Sequence, residues 1–304
     1  MDVGVIGTGQ MGRNHVRVYS ELKEVKNVYI FDQDQKTAQQ IADQHNAESV
    51  PSLKQLLKNV DAVSLCVPTP YHFETALDIL KLEISTLIEK PVCQTSAEGL
   101  TLIQSIPDDT IVGVGHIERF NPIISEIQKI IVDPLYVEFK RHNPTSSRIT
   151  ASSVVEDLMI HDIDIVINCL FSERPHFSAR GNEDVAAVLG NCENATVYLS
   201  ASRKASKKIR MIHIEQEDMT IEGDFMTQEI FVYRKPGQYS IENDRYVQEN
   251  IVEKVQVAKK EPLRTELQTF LNCVRYKKPF PITPQQALQN LCMCEEIRAA
   301  MRYD

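Results

Sequence analysis

Along the first 120 residues, short apolar runs alternate with longer segments in which apolar residues recur every three or four positions. The short runs Val3–Ile6, Val28–Phe31, Ala62–Val67, Ser85–Glu89 and Thr110–Val114 read as strands. The segments Met11–Leu22, Lys36–Gln44, Leu53–Leu57, Phe73–Leu82 and Ala97–Ile106 read as helices. Strand and helix in strict alternation predict a doubly wound parallel sheet with right-handed crossovers. After about Phe120 the rhythm changes. Seven runs follow with short links: Leu135–Lys140, His176–Ala179, Ala186–Leu189, Ala195–Ala201, Ile209–Gln216, Met219–Glu222 and Glu229–Arg234. Gly190-Asn191 and Lys235-Pro236-Gly237 supply turn residues. An open, mostly antiparallel sheet is expected there. A helix near Ser153–Phe171 and two closing helices, Leu263–Tyr276 and Pro284–Met301, complete the pattern, while Gly237–Glu253 reads as a long loop or an edge strand. The expected division is an α/β Rossmann domain over 1–118 and an α+β domain over 119–304, whose final helix can pack back on the first.

The first strand runs directly into Gly7-x-Gly9-x-x-Gly12, and Asp32 stands twenty positions after Gly12, at the end of the second strand. Each part has a mechanical use. Gly7 allows a tight turn, Gly9 lets the backbone approach a pyrophosphate, and Gly12 lets the following helix pack close to the sheet. That helix aims its N-terminal N–H groups at the phosphates, and Asp32 is placed to hold ribose hydroxyls. Gly7, Gly9, Gln10, Met11, Gly12 and Asp32 are therefore the expected dinucleotide site. The Asp32 carboxylate, with Asp34 nearby, repels a 2′-phosphate, which favours NAD over NADP; Lys36 partly offsets this.

A chain of 304 residues can bury a full core and usually divides in two. Its net charge of −9 argues against a general nucleic-acid binder. No uninterrupted apolar stretch approaches the length that spans a bilayer, and no signal peptide is visible, so a cytoplasmic location is the default expectation. The seven cysteines are scattered and odd in number, which suggests reduced thiols. Cys292-x-Cys294 lacks a second pair at zinc spacing, and no metal is expected. An open sheet with one apolar face usually finds a partner face, so a homodimer or homotetramer is expected.

Chemistry is expected where strands end. Val67-Pro68-Thr69-Pro70-Tyr71-His72 must turn there, since prolines cannot extend a ladder. Pro68, Thr69 and His72 either wall the cofactor site or form an ordinary strand-to-helix loop, with His72 capping or packing. Glu89-Lys90-Pro91 ends the next strand. Lys90 is either a solvated surface lysine or a partly desolvated group suited to a substrate hydroxyl. Asp157 and His161 are four residues apart, so on a helix they share a face, with Asp164 on a neighbouring strip. They are either an acid–imidazole pair or the polar edge of an amphipathic helix. Arg119 and Asn121, in GHIERFNP, are candidates for holding substrate; Arg119 serves either an anionic group such as a phosphate or a structural ion pair.

In chain order, the segments GTGQMGRNH, VPTPYHFETA, LIEKPV, GHIERFNP, EDLMIHDIDIV and EPLRTELQTFLNCV resemble the glucose–fructose oxidoreductase, inositol dehydrogenase and rhizopine-catabolism (Gfo/Idh/MocA) family over almost the whole chain. The resemblance implies a Rossmann domain followed by an α/β domain on an open antiparallel sheet. It also implies oxidation or reduction of one hydroxyl of a sugar or cyclitol with NAD(P). Lys90 matches the lysine of the family's EKP motif, which contacts the reacting hydroxyl, and Asp157 and His161 match its paired acid and histidine. GHIERFNP with DLMIHDID is most similar to the nucleotide-sugar branch that includes UDP-N-acetylglucosamine 3-dehydrogenases. Ser153 and Glu156 depart from that branch's glycine and apolar pattern. A free sugar or inositol is the alternative substrate. The non-enzymatic alternative, a dinucleotide-binding redox-responsive regulator, has no need of all three residues.

Overall fold

The apolar runs of the first 120 residues are strands of one parallel sheet. In the computed structural model, which describes residues 1–144, 152–235, 239–242, 245–248 and 251–301, they are β1 (Asp2–Ile6), β2 (Asn27–Phe31), β3 (Glu48–Ser49), β4 (Ala62–Leu65), β5 (Ser85–Glu89) and β6 (Val112–Gly115), in the order β3-β2-β1-β4-β5-β6. Every pairing is parallel. Both faces are covered, so β4 and β5 are buried along their whole length, which is why the runs are continuous rather than alternating. The covering helices include α1 (Gln10–Glu21), α2 (Gln35–His45), α3 (Leu53–Leu57), α4 (His72–Leu80) and α5 (Ser96–Gln104). Strand order reverses between β1 and β4, and an α/β sheet opens a crevice at such a point.

The second sheet is preceded by α6 (Pro122–Ile130), a helix absent from the expected pattern. Asn121 caps it by accepting from the Ile123 N–H, and Pro122 occupies its first position. Its isoleucines are β-branched and mask a helical spacing, yet Ile123, Ile124 and Ile127 share one buried stripe. Among the described residues the sheet has eight strands: β7 (Tyr136–His142), β8 (His176–Gly181), β9 (Val185–Cys192), β10 (Ala195–Ser202), β11 (Ile209–Glu215), β12 (Met219–Asp224), β13 (Glu229–Arg234) and an edge strand described below. All pairs are antiparallel except β7 with β10. Between β7 and β8 runs the helical stretch Val155–Met159, α7 (Ile160–Ile165) and Val166–Leu170, of which only α7 is α-helical; the flanking turns are π-helical. Buried and less buried residues alternate along β7 and β9, so one face carries the core. That core joins Val137, Phe139, Leu199 and Ile212 to Ile124, Ile127 and Ile163.

Gly190 does not turn the chain as expected. It lies inside β9, where a Cβ would strike Phe177, and the turn comes at Glu193 with a positive φ of 53°. A hairpin, β14 (Tyr239–Glu242) with β15 (Arg245–Gln248), and β16 (Ile251–Val255) at the edge of the sheet occupy much of the polar stretch. The expected turn residues Pro236 and Gly237 lie outside the described residues.

Two helices end the chain, α8 (Pro262–Tyr276) and α9 (Pro284–Met301). Compactness divides the chain into one unit of Met1–Phe120 with Glu261–Cys292 and another of Asn121–Lys260 with Met293–Asp304. Residues Leu263, Leu267 and Phe270 of α8 join the core of the first unit; Met293, Cys294 and Ile297 of α9 join that of the second.

Candidate active site

In the first unit, a cavity of about 680 Å³ opens where the strand order reverses. It is lined by Ile6, Gly7, Gly9, Gln10 and Met11 from the first turn, by Phe31 and Asp32 after β2, by Pro68, Thr69 and His72 after β4, and by Glu89 and Lys90 after β5. This volume suits a small-molecule cofactor. Gly7 has φ +89°, and a Cβ there would sit 2.8 Å from the backbone of Cys66 and Val67. At Gly12 a Cβ would lie 1.9 Å from the carbonyl oxygen of Gly7, so this glycine serves close packing and does not line the cavity. Gly9 caps α1 without a side-chain hydrogen bond, and a Cβ on it meets nothing within 4 Å. The helix thus offers its first N–H groups to an open cradle, which fits a pyrophosphate.

Asp32 is already engaged. Its Oδ2 accepts from the Thr8 N–H (2.6 Å) and hydroxyl (2.8 Å), and Oδ1 accepts from the Asp34 N–H (2.9 Å). The carboxylate therefore braces the glycine turn as well as facing the cavity. Asp34 caps α2 through Thr37, whose hydrogen bonds hold its carboxyl below the ordinary range. Arg13 Nε donates to the Thr8 carbonyl at 3.2 Å.

His72 is buried, with Nδ1 2.8 Å from the Pro91 carbonyl and Nε2 2.9 Å from the Val67 carbonyl. Burial pushes its pKa down, while two acceptors favour a proton on both nitrogens. The ring ties the loop after β4 to the cis Lys90–Pro91 peptide. Glu89 is buried as well, with Oε1 2.9 Å from His15 Nε2. Burial opposes its charge, but the hydrogen bond from His15 and the positive charge of Lys90 leave its pKa lowered.

In the second unit, Asp157 lies in the first π-helical turn and His161 in α7; both are half-buried. Hydrogen bonds in a π turn run to the fifth residue, so the simple four-residue face expected for the pair is altered here; such turns recur at functional sites. Asp164 is 1% exposed and accepts from Asn168. Asn121 is 3% exposed; besides capping α6, it donates to the Phe225 carbonyl at 3.0 Å. Both side chains, expected to face substrate, are thus used inside their own unit. Arg119 donates to Gln286 at 3.0 Å. Glu156, one of the residues that depart from the nucleotide-sugar pattern, accepts from Arg298 of α9 at 2.9 Å. Burial raises its pKa and that partner only partly offsets it.

Sequence reasoning missed Gln33, Leu53 and Thr75 on the cavity wall, and it missed His15 and Glu266. The last two carry a legible signal. Glu266 follows Leu263 by three residues and precedes Phe270 by four, so it falls on the apolar stripe of α8; His15 likewise shares a face with Gly12 and Tyr19 on α1.

A parallel sheet in this order, a glycine turn feeding α1, and an acid after β2 define a dinucleotide-binding Rossmann domain. The model of the oxidoreductase family with an NAD-binding Rossmann fold, Gfo/Idh/MocA, matches residues 1–117. UDP-N-acetylglucosamine 3-dehydrogenase of Acidithiobacillus ferrooxidans is 31% identical over 291 residues, 92% of this chain and 90% of the relative. Its solved structure superimposes with a TM-score of 0.88, covering 99% of this chain and 97% of the other at 27% identity. An inositol 2-dehydrogenase/D-chiro-inositol 3-dehydrogenase of Halalkalibacterium halodurans is 29% identical over 176 residues, 54% of this chain and 51% of that one. An Agrobacterium radiobacter oxidoreductase, solved with NAD+, L-tartaric acid and magnesium, shares the fold at 16% identity, with a TM-score of 0.81 over 99% of this chain and 96% of the other. The chain belongs to the Gfo/Idh/MocA family, and it is a dehydrogenase acting on a CH–OH group. Among the described residues, no helix is long and apolar enough to cross a membrane.

Proposed function

We propose that this dehydrogenase uses NAD to oxidise a ring hydroxyl of a nucleotide sugar, with the C3 hydroxyl of UDP-N-acetylglucosamine as the leading substrate. The observation that carries this reading is that Lys90 and the Gly7–Gly9 turn line one cavity. A lysine amine and a dinucleotide cradle in the same crevice are what hydride chemistry at a hydroxyl requires. The 31% identity to a UDP-N-acetylglucosamine 3-dehydrogenase supports the substrate. The carboxylates of Asp32 and Asp34 support NAD, because both would repel a 2′-phosphate.

Bound NAD would supply the hydride acceptor; Gly9 and the first turn of α1 would hold its pyrophosphate and Asp32 its ribose. Lys90 donates a hydrogen bond to the reacting hydroxyl oxygen and stabilises negative charge as it develops there. His161 accepts the hydroxyl proton, and Asp157 orients the imidazole or grips a neighbouring hydroxyl. Arg119 remains the candidate for an anionic substrate group. A cytoplasmic homo-oligomer completes this reading.

The test pairs a substrate panel with one variant. UDP-sugars, the corresponding free sugars and inositols are compared by cofactor reduction, with Lys90→Ala alongside. The variant should lose about 10²-fold or more in turnover while its NAD affinity stays unchanged. Near-normal turnover in Lys90→Ala overturns the assigned role, and equal rates on free sugars overturn the nucleotide-sugar substrate. A free cyclitol is the second reading. It is favoured by the inositol dehydrogenase similarity, which covers about half of each chain.

A further inference from the structure

Three buried groups, one of them the chain neighbour of Lys90, have been given no part in the chemistry so far. His15 of α1, Glu89 of β5 and Glu266 of α8 each bring one nitrogen or oxygen to within 4.8 Å of the others. They come from three separate motif segments, GTGQMGRNH, LIEKPV and EPLRTELQTFLNCV. Room for the Glu89 carboxyl exists because position 115 is glycine: a Cβ there would lie 3.0 Å from Oε1. Glu266 is 0% exposed, and neither carboxyl oxygen has a hydrogen-bond partner among the described residues.

Two buried carboxyls this close do not both ionise. The structure breaks the tie. Glu89 has His15 at 2.9 Å and Lys90 next in the chain. Glu266 has only burial and the charge of Glu89, and both push its pKa well above the ordinary range. The other titratable groups packed around Glu89 are Tyr19 of α1, Cys66 after β4 and His72 of α4. Burial pushes the Tyr19 phenol and the Cys66 thiol up, so both stay neutral. A metal ion fits the trio less well than a proton does. Two ligands of one tetrahedral zinc stand about 3.3 Å apart, whereas the distance between His15 and Glu89 is that of a hydrogen bond.

We propose that His15, Glu89 and Glu266 form one electrostatically coupled cluster in which Glu266 is a neutral acid and Glu89 a charged one. His15 is then a positioning residue: its Nε2, 2.9 Å from Oε1, fixes the ionised Glu89 at the end of β5, next to Lys90, which lines the cavity. This rests on the role assigned to Lys90 under the proposed function.

Two measurements on the full-length protein test it. Infrared spectra at neutral pH should show the carbonyl band of a protonated carboxylic acid, and Glu266→Gln should remove it. Absence of that band in the unsubstituted protein overturns the proposal, as does a stoichiometric divalent ion that Glu266→Gln releases. This reading needs no turnover, so it is independent of Lys90. The second measurement is the pH dependence of kcat. Without the N–H of His15, Glu89 takes up a proton at higher pH, so His15→Phe should move the acid limb upward by about one pH unit. His15→Gln, whose amide N–H can reach the same oxygen, should restore it, with NAD affinity unchanged in both. An unshifted acid limb in a folded His15→Phe, or a Gln variant no better than Phe, overturns the positioning role. If Lys90→Ala retains turnover while the infrared band behaves as expected, it is the reading of Lys90 that falls.

Discussion

Replacing Gly9 by alanine separates the cofactor's needs from those of the fold. Gly9 has φ −61° and ψ −165°, which alanine adopts without strain, and its added Cβ meets nothing within 4 Å. Alanine gains about 0.4–1 kcal/mol by restricting the unfolded chain and gives back a similar amount as a poorer helix cap. Stability should therefore change by less than about 1 kcal/mol. The methyl group would stand where a pyrophosphate meets the first N–H groups of α1. Losing one hydrogen bond to a charged group costs about 1.5–3 kcal/mol, which weakens NAD roughly 10- to 100-fold. Gly12→Ala is the contrasting variant. Its Cβ would lie 1.9 Å from the Gly7 carbonyl oxygen, a backbone atom that cannot step aside, so it should destabilise the protein by about 1–3 kcal/mol or more. Thermal unfolding without cofactor and calorimetric NAD titration read the two quantities. Unweakened NAD binding by Gly9→Ala, or a loss of stability equal to that of Gly12→Ala, would refute the reasoning.

Three further outcomes follow from the geometry. Asp32→Ala removes the brace on Thr8 and the ribose acceptor together; NAD should weaken roughly tenfold or more, and the preference over NADP should shrink, so an unchanged NAD/NADP ratio counts against the placement of Asp32. Arg141 and Asp162 form a buried fork, with Nη2 2.6 Å from Oδ1; Asp162→Ala should cost about 3–5 kcal/mol in urea unfolding, and the double change Arg141→Met with Asp162→Leu far less, so equal costs would contradict the burial argument. Glu266 keeps its proton in the folded state above pH 4.5, where the unfolded chain releases it. The protein therefore loses stability as pH rises through that window; the melting-temperature advantage of Glu266→Gln should grow from about pH 4.5 to neutrality, and a constant gap would exclude a neutral Glu266.

The first unit was legible because parallel strands buried on both faces leave unbroken apolar runs, and because Gly7 and Gly12 each answer a steric demand that shows in the coordinates. Strands of the second unit were legible by alternation. Helix α6 was not, since Ile123, Ile124 and Ile127 satisfy a strand as readily as a helix until Asn121 and Pro122 are read as cap and first residue. The parallel pairing of β7 with β10 depends on a crossover through α7 that no local pattern encodes. At the site, Lys90 and Asp32 stood out by their position at strand ends. Asp32's hold on Thr8, and the meeting of His15, Glu89 and Glu266 from three distant segments, are products of the tertiary fold. Asn121 and Asp164 stood out for being polar beside motif residues; both are buried, and each has a partner inside its own unit.

The central claim is hydride transfer from a sugar ring carbon in the crevice that Lys90 lines. Its most direct test is turnover of UDP-N-acetylglucosamine carrying deuterium at C3, with mass analysis of the reduced cofactor. The account predicts deuterium in the nicotinamide ring, a slower rate than with the unlabelled sugar, and transfer slowed by about 10²-fold or more in Lys90→Ala. Reduced cofactor without deuterium, or labelled transfer at full rate by the variant, would contradict it.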